Sequence, residues 1–355
     1  MLSVEETLAL AEPNAQFTEL QRVSPIRVGA WNKDTDINQI RGIMAKVLEA
    51  KLAAKPDPST LPYVEEDINI TVRDGASIAV RIHKPKAVSE DGCPVLVAFH
   101  GGGFVIGDLE GVGPLCQLFT TLGGIAVNVD YRLAPEHPFP IPVQDCFDAV
   151  KWTVENASDL GINLSKGFLV GGESAGGDLA LGVTRLWIDE KQSPKLTGIF
   201  SSISGAVTDD SVPEKYRDRF LSLKQNANAP VVTADSIEFI KGEIHYQAGI
   251  REAESNIVID MYKPDPKSPL AYPIISPDLT GIPRTYFQAC GLDPVRDCTL
   301  VMEQVWKDAG IPTKLDVYPG LPHGFWALFP QADFSKKHRE GQRAALEWLL
   351  NEDSA

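Results

Sequence analysis

The chain has 355 residues, 43% of them hydrophobic, and a formal net charge of −15. That length holds one large α/β domain or two smaller ones, and the acidic balance argues against nucleic acid or an anionic membrane as the main partner, since both demand a surplus of Lys and Arg. Cys93, Cys116, Cys146, Cys290 and Cys298 are far apart and form no CxxC pair, so neither a disulfide framework nor a zinc site is expected.

Glu5 and Glu6 stand where a secretory leader carries basic residues. No apolar run approaches the roughly 18 residues of a membrane span. The expectation is a soluble, cytoplasmic protein without stable membrane association. Residues 36–54 place Ile37, Ile40, Ile43, Met44, Val47, Leu48 and Leu52 on one helical stripe, which should bury that face. Asp36 followed by Gln39 resembles a capping box. Two prolines in KPDPST then break the pattern.

From residue 68 strands and helices alternate. INITVRD (68–74) and SIAVRIHKP (77–85) flank Asp74-Gly75 as a hairpin-like pair. Strands are expected at 93–100, 124–131, 166–172, 196–204, 284–291 and 313–320. Helices are expected near 142–156, 175–190, 295–309 and 334–351. Apolar strands alternating with helices predict a mostly parallel sheet covered on both faces. Residues 205–280 interrupt that rhythm; the pieces KYRDRFLSLK and ADSIEFIKGEIHYQ read as helices. An insertion after a strand's C-terminal end sits where ligands bind in such sheets. The division expected is a core of 61–204 and 266–355, with N-terminal cap helices over 1–60 and a cap insertion over 205–265.

Residues 167–177 read GFLVGGESAGG. The pentapeptide Gly172-Glu173-Ser174-Ala175-Gly176 lies between an apolar strand and a helical pattern, the context of a nucleophile elbow. A serine hydroxyl needs a base, and the base an orienting carboxylate; in this arrangement they follow in the order serine, acid, histidine. His338 lies in SKKHRE and reads as a solvated helical face, whereas His323 in YPGLPHGFW follows a strand in a loop. Of the acids in GLDPVRD, Asp293 ends a strand, and Asp297 falls a turn into the next helix and reads as structural.

VAFHGGGFVIG (97–107) carries three consecutive glycines after a strand. It fits neither GxxxxGK[ST] nor GxGxxG, so a phosphate cradle is not supported. Beside an elbow serine the glycines suit an oxyanion hole, with backbone N–H groups of Gly102 and Gly103, joined by Ala175, aimed at the charge that develops in acyl transfer.

HGGGF (100–104), YRLAPEHPFP (131–140), GESAGG (172–177), SPLAYP (268–273), GLDPVRD (291–297) and YPGLPHGF (318–325) together resemble the hormone-sensitive lipase-like branch of the α/β-hydrolase superfamily. The resemblance implies an α/β-hydrolase fold with a helical cap and a carboxylic ester hydrolase with no metal and no organic cofactor. It implies Ser174 as nucleophile, His323 as base, Asp293 as its orienter, and Gly102, Gly103 and Ala175 as oxyanion donors. By the same likeness His100 braces the glycine loop, and His137 has no catalytic role. Glu173, a supporting residue, stands where many relatives have Asp, and Val295 where many have Leu. Because the triad is shared, an amidase, formamidase, thioesterase or dehydratase stays open; a ligand-binding member lacking catalysis is disfavoured by the intact triad. Trp31, Phe17, Tyr216, Phe220, Phe239 and Tyr246 are candidate pocket aromatics, with core packing the plainer reading for each. The partner expected is a small-molecule ester of short to medium acyl chain. The oligomeric state is unread, and a homodimer stays open.

Overall fold

A computed structural model describes residues 2–23, 31–32, 34–241 and 261–351. Among them one sheet runs through the molecule: β1 (Tyr63–Thr71), β2 (Ser77–Pro85), β3 (Val95–Phe99), β4 (Ile125–Asp130), β5 (Phe168–Glu173), β6 (Gly198–Ser202), β7 (Arg284–Leu292) and β8 (Thr313–Pro322). Their spatial order is β1-β2-β4-β3-β5-β6-β7-β8. β2 pairs antiparallel with β1 and β4, and the strands from β4 onward are parallel. The helices are α1 (Val4–Ala9), α2 (Ala15–Val23), α3 (Ile37–Ala53), α4 (Gly113–Thr121), α5 (Ile141–Glu155), α6 (Ala157–Leu160), α7 (Ala175–Asp189), α8 (Ser222–Gln225), α9 (Ala234–Lys241), α10 (Arg296–Asp308), α11 (Phe325–Leu328) and α12 (Asp333–Leu350).

The central strand β3 is apolar and buried at every position because both faces of the sheet are covered. Along β3, Val95, Val97 and Phe99 join a core with α5, α7 and α10. Leu96 and Ala98 join the opposite one, with α4 and α12. This is the two-residue period of a pleated strand.

Four readings of the sequence are corrected. β1 begins at Tyr63, five residues before the strand expected there, because the acidic run Glu65-Glu66-Asp67 masks it. In the fold Lys55 pairs with Glu65 at 3.4 Å and Arg81 with Asp67 at 2.6 Å. α3 does not bury its whole stripe: Ile37 and Ile40 are buried, but Ile43 is 54% exposed and Met44, Val47 and Leu52 are exposed with it. The helix meets the core through its first turns, where Arg41 donates to the carbonyls of Val105 and Ala134 and pairs with Glu136. Asp36 is a simple cap on the Asn38 N–H at 2.9 Å rather than half of a reciprocal box. KYRDRFLSLK is not one helix; a 3₁₀ turn over Glu214–Arg219 and the single turn α8 meet where Asp297 accepts the N–H groups of Leu221 and Ser222. ADSIEFIK forms α9, and the rest of that piece, with Tyr246, lies outside the described residues.

The N-terminal hairpin of α1 and α2 crosses the C-terminal ends of β7 and β8. Gly320 donates to the carbonyl of Leu10 at 2.7 Å and accepts from the N–H of Asn14 at 3.0 Å. Phe17 packs edge-on against Phe329 and Phe334. Residues 2–23 thus brace the two strands that lead into Asp293 and His323.

Leu169 of β5 is fully buried against Phe200 and Leu349. Leu169→Ala should lower unfolding free energy by about 3 kcal/mol through lost transfer and a residual cavity. Urea denaturation of the two proteins measures it, and a loss under about 1 kcal/mol would show that the layer collapses around the gap.

Candidate active site

Ser174 sits in the turn between β5 and α7 with φ 55° and ψ −124°, a conformation strained for a residue with a Cβ. The strain follows from how closely the turn approaches β3. A Cβ on Gly172 would stand 2.4 Å from the carbonyl oxygen of Phe99, and one on Gly176 2.0 Å from it. Only glycine fits at either place, which is the physical content of the pentapeptide. The Ser174 N–H donates to the Ser202 carbonyl at 2.8 Å and ties the turn to the next strand.

The loops after β7 and β8 converge on this hydroxyl. Ser174 Oγ lies 2.9 Å from His323 Nε2, and His323 Nδ1 lies 2.7 Å from Asp293 Oδ2. With Nδ1–H donating to the carboxylate, Nε2 is the acceptor for the serine hydroxyl. Asp293 is fully buried, and its other oxygen accepts the Val295 N–H at 3.0 Å. Burial alone would push the imidazole down. The charge and hydrogen bond of Asp293 outweigh it, Asp178 and Glu173 add to them, and the pKa of His323 lies above its ordinary value. Asp297 instead faces Arg296, the two buried together at 2.7 Å.

The glycine loop runs beside the elbow. Gly102 and Gly103 have φ of 121° and 61°, reached without strain only by glycine. The side chain of Ile240, on α9, lies where a Cβ on Gly103 would stand. His100 is fully buried, bonds the Gly101 carbonyl through Nδ1 at 2.8 Å, and stacks on Tyr131 at 4.2 Å. Burial pushes its pKa down, so the ring is a neutral strut. Ala175 opens α7, so its N–H is among those a helix leaves without an internal acceptor. Glu173 accepts from Gln342 Nε2 at 3.0 Å, and burial pushes its carboxyl up to about 7.

His338 is 1% exposed and stacked on Trp326 at 4.0 Å, contrary to the solvated face read from SKKHRE. The lysines, Arg339 and Glu340 around it occupy the outer side of α12, and Ser335 and His338 point inward.

A small cleft of about 50 Å³ opens between the core and residues 205–241, lined by Val207, Phe220, Leu223, Ile237, Lys241 and Val295. Of the aromatics singled out in the sequence, Phe220 lines it. Phe17 packs beneath α11, Tyr216 bonds Asp308, Phe239 is buried, and Trp31 is partly buried against the core. Two groups escaped the sequence reading. Arg41 holds the chain just after the glycines. Asp178, in the first turn of α7, accepts from Ser204 Oγ and pairs with Lys241 of α9 at 3.3 Å. A carboxylate inside the apolar run AGGDLALGV was the available signal for it. Among the described residues no cluster of three His, Cys, Asp or Glu is arranged to hold a metal ion, and no helix is long and apolar enough to cross a membrane.

Residues 96–327 match a family described by the alpha/beta hydrolase fold. The chain is 35% identical over 340 residues to an AB hydrolase superfamily protein of Schizosaccharomyces pombe, covering 94% of this chain and 93% of that one. It is 34% identical to a versiconal hemiacetal acetate esterase of Dothistroma septosporum, covering 86% and 88%. Among solved structures, vibralactone cyclase superposes with a TM-score of 0.81 at 26% identity, over 96% of each chain. A strand–elbow–helix turn beneath a glycine loop, on a sheet of this order and with these relatives, is enough to say that the chain belongs to the α/β-hydrolase family.

Proposed function

We propose that the chain is a serine carboxylic ester hydrolase that works through an acyl-enzyme. The observation that carries this reading is the unbroken hydrogen-bonded line from Ser174 through His323 to Asp293, at 2.9 and 2.7 Å. The name of the Dothistroma relative, an acetate esterase, supports it.

Ser174 Oγ attacks the ester carbonyl carbon while His323 Nε2 takes the hydroxyl proton. The carbonyl oxygen becomes an alkoxide, received by the N–H groups of Gly102, Gly103 and Ala175. Each such donor is worth roughly 2.7–4 kcal/mol in the transition state. As the tetrahedral centre collapses, the C–O bond to the alcohol breaks and the imidazolium returns its proton to the leaving oxygen. Water then attacks the acyl-enzyme with His323 again as base, releasing the acid and restoring the serine. Asp293 stays ionised throughout and holds the tautomer. His100 and Arg41 keep the glycine loop in register from opposite sides.

In this reading residues 1–60 and 205–265 form the cap, and the largely apolar cleft beside α9 takes a short to medium acyl chain or a small apolar group. Five unpaired, buried cysteines fit a reducing compartment, and we assign the chain to the cytoplasm.

Two outcomes are expected. Ser174→Ala should abolish the burst of p-nitrophenol from p-nitrophenyl butyrate and lower turnover by about five orders of magnitude or more, with an unchanged circular dichroism spectrum. Retained turnover would sink the assignment. Amide and thioester analogues in the same panel should be cleaved more slowly than the ester. The pH profile supplies the second outcome. The protonated imidazole cannot accept the serine proton, so activity is lost as pH falls through the His323 pKa. Since that pKa is raised, kcat/KM should decline with an inflection above 6.5. An inflection well below that value would mean that the Asp293 carboxylate does not govern the base.

A further inference from the structure

Three carboxylates bear on His323 where a triad needs one. Asp293 is bonded to it, and Asp178 of α7 and Glu173 of β5 act on it through charge. Asp178 is answered by the Lys241 ammonium, and it also accepts from Ser204 Oγ and the Gly205 N–H, both at 2.7 Å. Glu173 is held differently, by a neutral donor, Gln342 Nε2 of α12, at 3.0 Å. Glu173 directly precedes Ser174, and Trp326 comes three residues after His323. Gln342 lies one turn of α12 from His338, against which Trp326 packs, so one carboxyl group bears, through α12, on the two chain segments whose separation sets the distance from hydroxyl to imidazole. Trp326 is itself fixed by stacking on the buried His338, at 4.0 Å and 10°.

We propose that Glu173 is a positioning residue: its carboxyl group locks the turn carrying Ser174 to the loop carrying His323, and its negative charge supports the imidazolium formed there. Burial pushes this carboxyl up to about 7, against the side chains of Gln342 and Trp326 and the charge of His323. Its charge is thus present in the alkaline range where the imidazole is free to act as base. The other titratable groups around the pair stay neutral. Burial raises the Cys116 and Cys290 thiols and pushes His338 down to about 3. A carboxylate kept in a half-buried place between two parts of a site, on a neutral donor, costs desolvation that a packed Leu or Met would not; a function in setting the base accounts for the choice.

This rests on the acyl-transfer reading above, and the experiment separates the two. The first arm compares the wild type with Glu173→Gln and Glu173→Asp in the pH dependence of kcat/KM on p-nitrophenyl butyrate. The second follows the His323 imidazole by NMR titration in the Ser174→Ala background, with and without Glu173→Gln, where no turnover is needed. Glu173→Gln keeps the acceptor oxygen for Gln342 and removes the charge. It should lower kcat roughly tenfold with KM little changed, and move both the acid limb and the His323 titration to lower pH. Glu173→Asp, which keeps the charge, should hold the acid limb near the wild-type position. If Glu173→Gln does not fold, Trp326→Phe removes the indole N–H and keeps a ring on His338; it should lower kcat several-fold at constant KM. An unmoved His323 titration in Glu173→Gln, whatever its melting temperature, would overturn the proposal, as would an unchanged kcat in Trp326→Phe. A wild type inert toward every ester, with the His323 titration still moved, would instead sink the hydrolase reading alone.

Discussion

The contact between the carbonyl of Phe99 and the turn at Ser174 is the constraint on which the site depends. β3 ends against Gly172 and Gly176 so closely that neither can carry a Cβ. That approach forces the chain to reverse within one residue and leaves Ser174 with a positive φ. The strain, of order 1–3 kcal/mol, is held by the parallel ladder of β3, β5 and β6 and by the bond from the Ser174 N–H to Ser202. Because the glycine loop continues directly from β3, the same contact sets the loop beside the hydroxyl. One packing event therefore places both the nucleophilic oxygen and the amides around it.

The other two members of the line come from β7 and β8 and are held by parts remote in sequence. The N-terminal hairpin binds the end of β8 through the backbone of Gly320, and Asn226 donates to the carbonyls of Gly291 and Asp293. Arg41 of α3 ties the segment after the glycines, at the Val105 carbonyl, to the Ala134 carbonyl and the Glu136 carboxylate. Preorganisation of this kind lets fixed dipoles meet developing charge without reorganising at the moment of reaction. It also explains why α1, α2 and α3 are integral to the site although they contribute no strand to the sheet.

Electrostatics around the base is a balance rather than a single pair. The Lys241–Asp178 bridge joins α9 to the first turn after the elbow, so one of the carboxylates acting on the imidazole is partly compensated by the same segment that walls the cleft. Glu173, held by a neutral donor, is left to act with its full charge when ionised.

The fold class, the strand–helix rhythm and the three residues Ser174, Asp293 and His323 were legible in the sequence, because apolar strands, glycine-marked turns and loop positions after strands leave local signatures. What escaped it depends on contacts that no local pattern encodes. The β1 strand was hidden by acids whose partners, Lys55 and Arg81, lie on other segments. His338 looked solvated among charged neighbours because only the docking of α11 buries it. The exposed stripe of α3 and the broken helix at 214–225 likewise answer to tertiary partners. Local sequence determined which groups could do chemistry, since periodicity and turn chemistry act over a few residues. Only the folded chain decided their distances, their charge states and their braces, because those are set by burial and by neighbours from 30 to 169 positions away.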